Sequence, residues 1–148
     1  MSGSALATAL AVAAGLAGSV QVAIMSRLGE RIGVLQALAF ATAFTAVLSL
    51  VVLLVARRSV SGYAKALHQP WWTLLGGVMG ALIIFTITYA GPRIGVTATV
   101  GILIAGQLAM GALIDRFGLL GSERLTLHWP RLLGLALLAA GSALSLRK

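Results

Sequence analysis

The residues able to do chemistry in this sequence are few, and most of them sit inside apolar runs. Gln107 stands beside Gly106 within an interval free of charge from Ile94 to Ile114. An amide left unpaired in hydrocarbon is costly, so it either bridges helices or meets a solute, and both roles stay open. Gln21 lies near the end of the first uncharged run and can reach interfacial water or line a solute path. Thr86, Thr88 and Tyr89 place three hydroxyls near the end of a third run. Threonine usually donates to a carbonyl one turn back, which makes Thr86 and Thr88 structural. Tyr89 and Trp72 remain as aromatic candidates for a binding surface. Asp115 adjoins the fourth run next to Arg116, as a helix-end ion pair or, alternatively, as a titratable group able to couple a process to an ion. Arg93, after Pro92, anchors to lipid phosphate or holds an anionic substrate. His68 and His128 are far apart and lack metal-ligand spacing. With no Ser-His-Asp set, phosphate-binding glycine loop or metal motif, neither an enzyme nor a cofactor is expected.

The elements that must position these groups follow from composition. Of 148 residues, 59% are hydrophobic and 9% charged, and the mean hydropathy is +1.03. A soluble domain carries about 25% charged residues, so a water-soluble fold is excluded. The net charge of +8 is the balance of 11 basic residues against 3 acidic ones, the basic residues spread in ones and twos between apolar runs. Nucleic-acid binding needs them gathered along a groove, whereas here they are placed to snorkel to headgroups. There is no cysteine, hence no disulfide framework.

Four intervals without charge, 1–26, 32–56, 66–92 and 94–114, each meet the need for about 20 apolar residues per membrane span. A fifth, Leu132–Leu146, is shorter, and Trp129 and Arg131 can extend it to the interface. No Lys or Arg precedes Arg27, and the first apolar run is too long for a cleaved signal peptide, so it is read as a helix. The expected architecture is all-α: a single transmembrane domain over 1–148, with helices at about 4–26, 33–56, 71–91, 95–114 and 130–146. Arg27–Gly33 reads as a tight turn, and Gly91–Gly95 as a breaker cluster around Pro92. Trp71-Trp72 and Trp129-Pro130 mark re-entry at the interface.

Five spans place the termini on opposite faces. Arg57, Arg58, Lys65, Arg116, Arg124 and Arg131 then face Arg27, Arg31, Arg93, Arg147 and Lys148, six basic residues against five. That is almost no instruction under the positive-inside rule. Either the early loops still select one orientation, or the chain inserts both ways and pairs as an antiparallel dimer, a ten-helix unit of the inverted-repeat kind used by transporters. Dual insertion is preferred. Small residues four apart, such as Ala14/Gly18, Gly76/Gly80, Gly101/Ala105 and Ala136/Ala140, allow close helix packing.

The stretch from Pro70 to Gly121 carries PWW followed by GG and G, then PRIG, AGQL and LIDRFGLLG. In order and spacing these motifs resemble the YdcZ-type family of bacterial inner-membrane proteins, within the drug/metabolite transporter superfamily. The first two helices match through Gly18, Gln21 and Arg27-Leu28-Gly29. Met25 and Ala39-Phe40 stand where the family carries an Asn and a Ser-Phe pair, so part of a polar lining is absent here. The resemblance implies a bacterial inner-membrane location and a small-molecule exporter. It also implies work as a homodimer or as a heterodimer with a short homologue. Small multidrug transporters of that superfamily use a carboxylate in the first helix, where this chain has only Ser19 and Gln21. The leading expectation is an alternating-access carrier with substrate bound near the midplane by Gln21, Gln107 and aromatic side chains. A passive dual-topology channel and a non-transporting scaffold are the alternatives.

Overall fold

A computed structural model describes residues 3–57, 62, 65, 66, 68–124 and 128–146. Arg58, Arg147 and Lys148, which enter the charge balance, lie outside these residues, as does the Arg131 side chain. The described secondary structure is helical throughout: α1 (Gly3–Ile32), α2 (Val34–Arg57), α3 (Leu75–Ile94), α4 (Val96–Phe117) and α5 (Trp129–Ser145). One short 3-10 turn, Trp71–Leu74, leads directly into α3, and another, Leu119–Gly121, follows α4. Four stretches are long and apolar enough to cross a membrane: Gly3–Ile32, Val34–Arg57, Trp71–Ile94 and Val96–Phe117. The apolar helix at Leu132–Ser145 is shorter.

Side-chain placement is the reverse of a soluble bundle. Large apolar side chains such as Leu16, Val55 and Leu137 point outward, with Val55 76% exposed. The most enclosed positions include small or hydroxylated residues such as Ala37, Thr88 and Thr99. Such a surface is solvated by lipid tails, and the helices approach one another through their small residues. Hydroxyls stay satisfied within their own helices. Thr86 donates to the Leu82 carbonyl at 2.8 Å, Thr88 to that of Ile84 at 2.6 Å, and Thr99 to that of Gly95 at 2.8 Å. The structural reading of Thr86 and Thr88 is thereby met.

Two helix ends lie beyond their expected positions. Arg27, Glu30 and Arg31 do not form a turn; α1 stays helical through all three, and the break is Gly33 alone, at φ +94°. Charged side chains at a membrane interface reach outward without disturbing the backbone, so they do not end a helix. Likewise Gly91, Pro92 and Arg93 belong to α3, and the break is Gly95 at φ +84°. Both glycines sit in backbone conformations that a Cβ disfavours.

Contacts divide the chain into two units. In the first, Ile24–Tyr89, the end of α1 packs against α3 at Gly29 and Thr88. A Cβ on Gly29 would lie 2.5 Å from Thr88 Cγ2 and 3.3 Å from the Thr88 carbonyl oxygen. Pro92 has no N–H to offer that carbonyl, which is its i−4 partner. The freed oxygen is thus the one that Gly29 approaches. The second unit, Met1–Ala23 with Ala90–Lys148, contains the pairing of α4 with α5.

Candidate solute site

The α4–α5 pair is built on small residues. Gly101 faces Ser142, and a Cβ added to the glycine would lie 3.1 Å from Ser142 Oγ and 3.7 Å from its Cα. Ser142 is buried and donates its hydroxyl to the Leu138 carbonyl at 2.8 Å, so the close approach leaves no polar group exposed to the neighbouring helix. Further along, the two helices border a half-open hollow of about 250 Å³, at which the Gln107 side chain is exposed. Its walls are Gln107, Leu108, Gly111 and Ala112 of α4, with Gly134, Leu135 and Leu138 of α5. The space exists because Gly111, Ala112 and Gly134 contribute almost no side-chain volume, while the leucines hold the walls apart.

Gln107 is the single polar side chain lining the hollow. It lies midway along α4, and among the described residues its amide makes no hydrogen bond. An amide offers two donors and an acceptor oxygen. At mid-span its unmet demand is satisfied most favourably by a polar group brought in by a solute or another chain. The hollow therefore presents an apolar surface with one hydrogen-bonding point, and among its lining residues there is no charge.

The other sequence candidates lie elsewhere. Asp115 is half-buried one turn beyond Gly111 and makes interactions of its own, without lining the hollow. Arg116 is exposed in the last turn of α4, where a cation favours the helix C-terminus. Gly118 then closes the helix in the left-handed region at φ +63°, its N–H donating to the Ile114 carbonyl. Gln21 is exposed on α1, and Arg93 is exposed and engaged in the last turn of α3. Trp72 is exposed in the 3-10 turn before α3, and Tyr89 stacks on Phe85 with ring centroids 6.1 Å apart. Of the candidate binding residues, the hollow takes up Gln107; Gln21, Trp72 and Tyr89 do not line it.

Sequence reasoning passed over Gln36, and it placed Gly33 and Gly95 inside longer breaks without singling them out. The Gln36 side chain folds back over Gly33, and a Cβ there would collide with its Oε1. The signal was available. The tetrapeptide Arg-Ile-Gly-Val occurs at 31–34 and again at 93–96.

A family model described as "Putative inner membrane exporter, YdcZ" matches residues 6–144, which takes in every described helix in whole or large part. The chain belongs to the YdcZ family. The match covers the Pro70–Gly121 motifs and the first two helices, and it extends beyond both into α5. The chain is 28% identical to the inner membrane protein YdcZ of Escherichia coli strain K12 over 99 residues, spanning 66% of this chain and 66% of that protein. No solved structure matches the chain. Membership in the YdcZ family, together with several long apolar helices, makes this a multi-pass protein of the bacterial inner membrane. The description of the family names a membrane exporter and no enzyme class.

Proposed function

We propose that the chain is the protomer of a small-molecule exporter that crosses the membrane five times and works by alternating access as a pair of oppositely oriented copies. Family membership supports transport. The near-equal six-to-five division of basic residues supports insertion in both orientations. For the fifth span, the 17 residues of α5 measure about 25 Å at about 1.5 Å per residue, somewhat less than the hydrocarbon thickness. The exposed Trp129 at its start is placed to anchor it in the interface.

The observation that carries the functional reading is the solitary amide of Gln107 in an otherwise apolar hollow. It favours an uncharged solute with an apolar body and one or two hydrogen-bonding groups. A fixed charge on the lining would favour an ion instead, and none is present among its residues.

The test is exchange in proteoliposomes of uncharged aromatic and aliphatic alcohols and amides, with organic cations and anions run in parallel. Saturable exchange of one or more of the uncharged solutes is the expected result. Unitary ion conductance would replace the carrier by a channel, and absence of any flux would point to a scaffold.

A further inference from the structure

The two glycine breaks are copies of one device. Gly29-Glu30-Arg31-Ile32-Gly33-Val34 and Gly91-Pro92-Arg93-Ile94-Gly95-Val96 agree at five of six positions, 62 residues apart. The backbone repeats at the same offset. Gly33 donates its N–H to the Gly29 carbonyl at 3.0 Å and accepts from Ala37 at 3.0 Å. Gly95 donates to Gly91 at 3.0 Å and accepts from Thr99 at 3.1 Å. Both have positive φ, and each is the single residue between two helices.

Burial repeats as well. Met25 and Ile87, Ser26 and Thr88, and Ala37 and Thr99 are three pairs at this offset, and all six residues are buried. Gly29 and Gly91 are also both buried. The correspondence therefore covers sequence, hydrogen bonding, the sign of φ and burial, on both sides of each elbow.

We infer that α1–α2 and α3–α4 are two copies of one helix–glycine–helix element, and that Gly33 and Gly95 are a matched pair of hinges about which their arms swing. The reason lies in how each glycine is bonded. Its N–H completes the last turn of the preceding helix, and its carbonyl begins the following one, so neither group must be released when the arms move. The flanking residues are held by helical hydrogen bonds, which leaves the dihedrals of one residue as the soft coordinates. A Cβ built on Gly95 meets nothing within 4 Å, and one on Gly33 meets only the end of the flexible Gln36 side chain, so an alanine at either elbow acts chiefly through the backbone dihedrals. Hinges of this kind are a few residues at element ends that absorb a large dihedral change. The inference does not depend on which solute is carried.

The absence of cysteine allows spin labels to be placed at will. Leu16→Cys with Val51→Cys spans the first elbow, and Val78→Cys with Leu113→Cys spans the second at the equivalent positions; all four residues are exposed. Phe40→Cys with Val51→Cys, both within α2, serves as the rigid control. Distance distributions would be measured by pulsed electron spin resonance in lipid nanodiscs, with each labelled chain diluted into unlabelled protein. Both elbow pairs are expected to give distributions at least about twofold broader than the control, or two resolved populations. Gly33→Ala should narrow the first pair alone, and Gly95→Ala the second alone. Elbow distributions as narrow as the control would overturn the hinge. Breadth at one elbow only would overturn the equivalence, and breadth that survives its own glycine substitution would place the motion elsewhere. Where an alanine variant fails to fold, the comparison with the control in the unsubstituted elbows still decides the matter.

Discussion

Replacing Gly29 by alanine is expected to destabilise the protein by about 1–3 kcal/mol, the usual cost of forcing extra volume into a tightly packed contact. The added methyl would meet Thr88 Cγ2 at 2.5 Å and the Thr88 carbonyl oxygen at 3.3 Å. Neither atom can yield easily. Thr88 is wholly buried, its hydroxyl is tied to the Ile84 carbonyl, and β-branching leaves it few alternative rotamers. Gly29→Val should therefore prevent stable packing of α1 on α3. The pair Gly29→Ala with Thr88→Ser removes the colliding methyl and should recover most of the loss. Thermal unfolding in detergent, with the single and double variants side by side, measures this. An unchanged midpoint in Gly29→Ala would show that α1 and α3 do not meet here.

Gln107→Leu is expected to leave folding intact while lowering solute exchange by roughly tenfold to a hundredfold. That range corresponds to about 1–3 kcal/mol for an unmet hydrogen bond between site and solute. Leucine preserves most of the side-chain volume and suits an apolar wall formed with Leu108, Leu135 and Leu138. Gln107→Asn keeps the amide on a shorter stem and should retain part of the activity. A loss of exchange accompanied by loss of the folded protein would assign Gln107 to helix bridging. Unaltered exchange in the leucine variant would remove the hollow from the transport path.

Much of the fold was legible in the sequence because a membrane segment needs little more than length and absence of charge. The intervals ending near Ala56 and Ile114 lie close to the ends of α2 and α4, at Arg57 and Phe117. The ends of α1 and α3 were less legible. Arg27, Glu30 and Arg31, like Pro92 and Arg93, resemble loop residues by type, yet interfacial charges are compatible with helix, and Pro92 costs one hydrogen bond near a helix end. Only a positive φ at Gly33 and Gly95 stops the chain. Composition cannot single out those two among 18 glycines, whereas the repeated Arg-Ile-Gly-Val could.

At the candidate site, the position of Gln107 in mid-helix was readable from charge spacing alone. The hollow beside it was not, because it depends on Gly134 of α5 lying opposite Gly111 and Ala112 of α4. The same two helices also meet closely at Gly101 and Ser142, towards the other end of the pair. Thr86 and Thr88 were legible for the opposite reason, since their hydroxyls are satisfied within one turn and need no neighbour.

The central claim, that two oppositely oriented copies make the working unit, is tested most directly by the orientation of the chain itself. A single cysteine placed at Gly3 or at Leu146, near the two ends of the described chain, would be exposed to a membrane-impermeant maleimide in sealed vesicles of one sidedness. With five spans and both orientations present, each cysteine is expected to label in about half of the copies from either side, as a near-balanced charge distribution dictates. Labelling of every copy at one end and of none at the other would establish one fixed orientation and contradict the antiparallel homodimer.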